Sequence, residues 1–107
     1  MTLIEEKTFV LLQPKGHLDA HGGNLFRQQL TKLSQQSLWI VDLTHVEFID
    51  SAGLMALLTG LKAAAQSNSR LVLSSLSPAV RLIFEITQLD QAFEIIDCHK
   101  ELVATYG

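Results

Sequence analysis

The sequence predicts a small α/β fold: a mixed β-sheet that opens with an N-terminal hairpin and continues with mainly parallel strands alternating with about four helices. A chain of 107 residues, 48% apolar and 18% charged, has the size and composition of one domain with its own core. Runs of β-favouring residues alternate with segments of helical periodicity, which implies right-handed crossovers between parallel strands. We therefore predict a single domain over residues 1–107.

The first third of the chain predicts a hairpin followed by a helix. Leu3-Ile4 can pair with a strand at Thr8–Gln13 across an acidic turn. Beyond Gly16, the pair Gly22-Gly23 predicts a loop, and Asn24 is the expected N-cap of the first helix. The apolar residues at helical spacing in this helix are Phe26, Leu30 and Leu33.

The middle third predicts the central strand and the longest helix. Leu38–Val41 is a continuous apolar run, as in a strand that is covered on both faces. A helix is expected from Ser51 to about Gln66, with Asn68 as a stop signal. Its expected inner residues are Leu54, Leu57, Leu58, Leu61 and Ala65.

The last third predicts two strands and two helices. Arg70–Ser74 and Phe93–Ile96 have the composition of strands. Ser77-Pro78 supplies a capping hydroxyl and a first-turn proline for a third helix, and Asp97 is the expected cap of a terminal helix. The expected inner residues are Val80, Ile83, Phe84 and Thr87 in the third helix, and Leu102, Val103 and Tyr106 in the last.

Composition and charge argue against several function classes. The net charge is -3 and the eight Lys and Arg residues are scattered, so we expect no direct nucleic-acid binding. No apolar run approaches the roughly 20 residues of a bilayer span, and the acidic N-terminus does not resemble a signal peptide, so no membrane insertion is expected. Cys98 is the only cysteine, so no intramolecular disulfide can form, which fits a cytoplasmic protein.

The segment Phe48–Leu54 carries the candidate site. It places Asp50, Ser51 and Gly53 where a helix begins, at the sheet edge where α/β folds usually bind ligands. One interpretation is structural, with Asp50 or Ser51 as the helix cap. The other is functional: a hydroxyl at a helix N-terminus favours a phosphate, whose charge would repel a partner fitted to the neutral surface. The residues alone leave both open.

Three motifs, in order, resemble the signatures of STAS-domain anti-sigma factor antagonists. They are Gly16-His17-Leu18-Asp19, Asp50-Ser51-Ala52-Gly53-Leu54, and Ser77-Pro78-Ala79-Val80 with Leu82–Leu89. The resemblance covers nearly the whole chain and implies the STAS fold. It also implies partner switching: the unphosphorylated protein binds an anti-sigma factor serine kinase, which frees a sigma factor and so regulates transcription.

The resemblance also implies residue roles. Ser51 would accept a phosphate from the kinase, which uses ATP and Mg²⁺, and a serine phosphatase would remove it. No cofactor, resident metal or enzymatic activity is expected of the chain itself. Two positions depart from the family pattern: Gly22-Gly23 would loosen the entry to the first helix, and Gln88 stands where the family commonly has glycine. The implied partner-binding residues are Asp19, Asp50, Ser51, Ala52, Gly53 and Leu54.

Four alternatives have some basis in the sequence. A serine hydrolase would need a glycine where Ile49 stands. His17, Asp19 and His21 could ligate zinc on a helix, but the glycines around them argue against one. Cys98 is expected to be an inert core or edge residue, because no second cysteine could resolve its oxidation. The chain could also be a non-phosphorylated STAS docking subunit of a transporter or signalling complex, and this alternative stays open.

Overall fold

The computed structural model describes residues 2–6, 8–30 and 36–106. A short 3-10 helix, Leu89–Gln91, lies between the third helix and the last strand. The other elements, in chain order, are β1 (Thr2–Glu5), β2 (Phe9–Gln13), β3 (Gly16–Leu18), α1 (Ala20–Leu30), β4 (Leu38–Asp42), β5 (Val46–Ile49), α2 (Ser51–Gln66), β6 (Arg70–Ser74), α3 (Pro78–Ile86), β7 (Glu94–Ile96) and α4 (Lys100–Tyr106).

A five-stranded mixed sheet in the order β1-β2-β4-β6-β7 forms the centre of the fold. β1 pairs antiparallel with β2, and the other neighbouring strands in this sheet pair in parallel. The predicted α/β class, the opening hairpin and the central place of β4 are all confirmed.

A second, two-stranded parallel sheet joins β3 to β5. Neither of these strands was predicted from the sequence. Strands of three and four residues are too short to show a clear alternation of apolar and polar side chains. The two strands form their hydrogen bonds with each other although they are far apart in the sequence, so a prediction from local sequence patterns does not find them.

The central sheet has two faces with different covers. Alternate residues of β2, β4 and β6 point to opposite faces. Because both faces are covered, β4 is buried along its whole length. The first face packs against α1, α2 and α3, and its buried strand residues are Val10, Leu12, Trp39, Val41, Leu71 and Leu73. The second face packs against α4, and its buried strand residues are Phe9, Leu11, Leu38, Ile40 and Val72.

α1 begins at Ala20, so the predicted cap at Asn24 was wrong. Asp19 has that role, because its carboxylate accepts a hydrogen bond from the backbone N–H of Gly22 at 3.0 Å. Asn24 is exposed within the helix. The predicted inner residue Leu33 lies outside the described residues.

Small residues let α1 and α2 approach closely. A Cβ added to Gly23 would lie 3.1 Å from the Ala56 Cβ, and one added to Gly60 would lie 3.0 Å from the Phe26 ring. α1 begins at Ala20 and so contains both Gly22 and Gly23. The packing that this contact allows offsets the poor helix propensity of glycine.

α2 has the predicted bounds, but its buried side lies about one residue away from the predicted one. Leu57 is buried as expected and Leu58 is half-buried, whereas Ala65 is exposed. Apolar patterns give weight to large side chains, while here the small ones face α1 and the sheet. The buried residues of α2 are Gly53, Ala56, Leu57, Gly60 and Ala64.

α3 begins as predicted, because the Ser77 hydroxyl accepts a hydrogen bond from the Val80 N–H at 3.3 Å and Pro78 is the first helical residue. The predicted inner residue Thr87 is exposed just beyond the helix end. Gln88 follows with φ of 62°, in the left-handed region that favours glycine. Glutamine thus adopts the glycine conformation at the position where the sequence departs from the family pattern.

α4 begins at Lys100, so the predicted cap at Asp97 was wrong. The Asp97 carboxylate is fully exposed and lies 3.5 Å from the Arg81 guanidinium. The backbone carbonyl of Asp97 accepts a hydrogen bond from the Ser75 hydroxyl at 3.2 Å, which holds this part of the chain beside β6. The helix begins only after this contact. Cys98 is exposed, which excludes the core position considered for it. Among the described residues, no helix has both the length and the hydropathy to cross a bilayer.

Candidate functional site

Asp50 and Ser51 divide two tasks at the start of α2. The Asp50 carboxylate accepts a hydrogen bond from the Gly53 N–H at 3.0 Å, and its carbonyl accepts one from the Leu54 N–H at 2.9 Å. Asp50 is therefore the N-cap, and the capping alternative is confirmed for this residue. Ser51 is the first helical residue and is exposed, so its hydroxyl is not needed as the cap.

Gly53 fixes how α2 meets β3. A Cβ at this position would lie 1.9 Å from the carbonyl oxygen of Leu18 and 2.7 Å from its carbonyl carbon. Both atoms belong to the backbone, so no side-chain movement could relieve the contact. Gly53 is buried for this reason, and its predicted role in binding is accompanied by a clear structural one.

Two similar strand–cap–helix units lie side by side at this edge. β3 and β5 pair in parallel with Leu18 opposite Ile49, so the next residues, Asp19 and Asp50, are neighbours in register. Each aspartate accepts a hydrogen bond at 3.0 Å from the backbone N–H three residues later. The starts of α1 and α2 therefore form one surface, and Asp19 shares it with Asp50 and Ser51.

Negative charge already marks this surface. The backbone N–H of Gly22 donates to the Asp19 carboxylate and holds its pKa below the ordinary value of 3.8. Asp19 is therefore ionised at neutral pH. The free N–H groups and dipoles of the two helix starts stabilise negative charge here. Each added negative charge is also repelled by those already on the surface.

The other two predicted partner-binding residues are half-buried, and two apolar neighbours are more exposed. Ala52 is half-buried, and Leu54 is half-buried against the core of the first face. Met55, which the sequence analysis did not single out, is 56% exposed one turn after Ser51, and Phe48 is 48% exposed just before Asp50. Met55 is four residues after Ser51, and residues at this spacing lie on the same face of a helix, so the sequence could have identified it.

The histidines considered for a zinc site lie on two different elements. His17 lies on β3, where its ring meets the Phe48 ring edge-on at 5.8 Å, whereas His21 lies on α1. The described residues contain no group of three or more His, Cys, Asp or Glu side chains that could hold a metal ion. His99 contacts Ser74 and Asp42 on the second face of the sheet.

Comparison with known proteins gives a family match, a relative in sequence and solved structures with a similar fold. The chain matches the family model described as STAS domain over residues 1–102. An anti-sigma-B factor antagonist from Listeria monocytogenes is 32% identical over 89 residues, which cover 81% of this chain and 78% of the Listeria protein.

Solved structures give the same architecture. The anti-sigma factor antagonist SpoIIAA, in its unphosphorylated form, has a TM-score of 0.75 at 19% identity, over 97% of this chain and 94% of SpoIIAA. A sulfate transporter family protein from Wolinella succinogenes has a TM-score of 0.83 at 15% identity, over 96% of this chain and 88% of that one. At these identities, both likenesses show the fold alone.

Proposed function

The chain belongs to the STAS domain family, and we propose that it is an anti-sigma factor antagonist that works as a phosphorylation-controlled binding switch. The curated relatives with this name support the antagonist role. The observation that carries the switch is the division of labour at α2: Asp50 caps the helix, while Ser51 presents an exposed hydroxyl beside it.

In the proposed cycle, the unphosphorylated chain binds an anti-sigma factor that is also a serine kinase, and a sigma factor is released. The Ser51 hydroxyl oxygen then attacks the γ-phosphorus of ATP, ADP leaves, and the hydroxyl proton passes to the kinase or to solvent. A serine phosphatase hydrolyses the phosphoserine and restores the binding state. The chain itself acts in the cytoplasm as a substrate and a ligand, not as an enzyme, and uses no cofactor.

Charge explains why the phosphate would end the interaction. A phosphoserine adds roughly -1.5 to -2 charges at neutral pH. At position 51 this charge would join Asp19 and Asp50 at the two helix starts. The helix N-terminus can accommodate the phosphate without unfolding α2, so the change acts on binding rather than on folding.

Intact-mass spectrometry tests the switch. Wild type and Ser51→Ala are incubated with ATP, Mg²⁺ and lysate from the source cells, and both are also used as bait on a column. We expect one added phosphate on wild type only, and loss of the retained partner when that phosphate is present.

A matched control tests site selection. Ala20 follows Asp19 as Ser51 follows Asp50, so Ala20→Ser in the Ser51→Ala background offers a hydroxyl at the equivalent position of α1. No phosphate is expected there if the kinase reads the α2 surface. If wild type gains no mass while it still retains a partner, the docking-subunit alternative replaces the switch.

A further inference from the structure

A polar row crosses the second face of the sheet at the carboxyl ends of three neighbouring strands. Asp42 of β4 pairs in register with Ser74 of β6, and Gln13 of β2 donates a hydrogen bond to the Asp42 carboxylate at 3.0 Å. Asp42 and Ser74 are 5% and 0% exposed. Thr44 also donates to the Asp42 carboxylate, so the group of this row that needs a hydrogen-bond partner from the covering segment is the buried Ser74 hydroxyl.

His99 supplies that cover. Its Nδ1 lies 3.3 Å from the Ser74 hydroxyl oxygen and 4.0 Å from an oxygen of the Asp42 carboxylate, and its side chain is 17% exposed. His99 directly precedes α4, and its carbonyl accepts a hydrogen bond from the Val103 N–H at 2.9 Å. The imidazole therefore ties the start of α4 to two central strands.

Beyond His99, α4 packs on the second face through Leu102 and Val103, which are half-buried. A helix of seven residues is not stable alone in water, so these contacts hold it in place. The preceding chain is anchored separately, because Ser75 binds the carbonyl of Asp97. Cys98 lies between the two anchors, where a hinge would fall.

We propose that α4 is a strap that opens about Cys98 as a unit while the rest of the domain stays folded, with His99 as its latch. Opening uncovers the apolar second face of the sheet. Segments that pack through half-buried side chains open at lower free energy than a fully buried core. Leu102 and Val103 of α4 are half-buried, whereas β4 is buried along its whole length. The inference does not depend on phosphorylation of Ser51.

Two buried neighbours on β6 provide the test. Val72 belongs to the second face and Leu73 to the first, and each is 0% exposed. In a Cys98→Ser background, Val72→Cys and Leu73→Cys are labelled with a thiol reagent under native conditions. The strap predicts that the thiol at 72 reacts at least tenfold faster than the one at 73, after correction for the global stability of each variant. Equal corrected rates, set by global unfolding alone, would overturn the proposal.

The latch is tested by adding His99→Ala to both thiol variants. Loss of the imidazole should speed labelling at 72 about tenfold, since one hydrogen bond and the cover of two buried polar groups are removed. Labelling at 73 should not change after the same correction. His99→Asn, whose side-chain amide can take the place of Nδ1, should restore much of the protection. Faster labelling at 72 that does not respond to His99→Ala would remove His99 as the latch.

Native-state hydrogen exchange keeps the proposal testable if the thiol variants fold poorly. In the unmodified chain, amides of α4 should exchange through an opening that leaves β4 protected, and His99→Ala should affect the α4 amides alone. Exchange of α4 at the same opening free energy as β4 would contradict the strap.

Discussion

Gly53 and Leu18 are in direct backbone contact: a Cβ on Gly53 would lie 1.9 Å from the carbonyl oxygen of Leu18. Leu18 ends β3 and Gly53 lies in the first turn of α2, so this contact sets the distance between the central motif and the strand before Asp19.

Gly53→Ala should therefore destabilise the domain by about 3 kcal/mol, because neither backbone can yield without moving an element. Urea denaturation gives the value. Gly60→Ala is the matched control in the same helix, since its new methyl group would meet the Phe26 side chain rather than backbone and would gain helix propensity, for a net change within about 1 kcal/mol. Equal costs for the two variants would show that the Leu18 contact is not rigid.

Asp50→Ala and Ser51→Ala should separate capping from switching. Loss of the Asp50 cap should cost about 1 kcal/mol of unfolding free energy. Ser51→Ala should stay within about 0.5 kcal/mol, since alanine is a good helix former and the serine is exposed. Chemical denaturation of both variants decides this. A loss for Ser51→Ala as large as that for Asp50→Ala would mean that the serine hydroxyl also supports the helix.

Asp42 should make the folding stability of the domain depend on pH in the acid range. Burial raises the pKa of this carboxyl, but hydrogen bonds from Thr44 and Gln13 outweigh burial and bring the pKa below its ordinary value of 3.8. A lowered folded-state pKa contributes stability that is present above the ordinary value and is lost as the pH falls through the folded one.

Urea midpoints measured from pH 7 down to acid should show a smaller loss in Asp42→Asn than in wild type, because Asp19, whose pKa is also lowered, still contributes to the loss. Asp42→Asn should also be less stable at neutral pH. Thr44→Ala removes the hydroxyl that donates to the Asp42 carboxylate, while the backbone N–H bond can remain. The acid-dependent loss of stability should therefore be smaller in this variant. An acid-dependent loss in Asp42→Asn as large as in wild type would assign the effect to another group.

Gln88→Gly should stabilise the domain by about 0.5 to 1 kcal/mol. The strain of a left-handed side chain at φ 62° is removed, which exceeds the entropic cost of glycine in the unfolded chain. Gln88→Ala keeps the strain and should bring no gain. Thermal and urea midpoints should agree, and a lower midpoint for Gln88→Gly would show that the Gln88 side chain stabilises the turn.

Local signals predicted the start of α2 and of α3. The Asp50 carboxylate and the Ser77 hydroxyl each accept a hydrogen bond from the helix N–H group three residues later, so their effect is visible in the sequence. β3 and β5 were missed because their pairing is non-local.

The start of α1 was misplaced for a tertiary reason. Gly22-Gly23 lowers helix propensity, but contact with Ala56 and the Asp19 cap overrides that preference. At the candidate site, the sequence predicted that Asp50 or Ser51 would cap α2, whereas the position of Asp19 beside Asp50 follows from the register of β3 and β5. The exposure of Met55 depends on which side of α2 the small residues occupy, and a pattern of large apolar residues does not contain this information.

The paired helix starts have a consequence for how much information this surface can hold. Asp19 and Asp50 are followed by Ala20 and Ser51, so of these two equivalent first positions one has a hydroxyl and one does not. Two modifiable positions would give four charge combinations, with intermediates that bind partially. Under the proposed switch, one position gives two, and a partner that senses this surface would receive a binary signal.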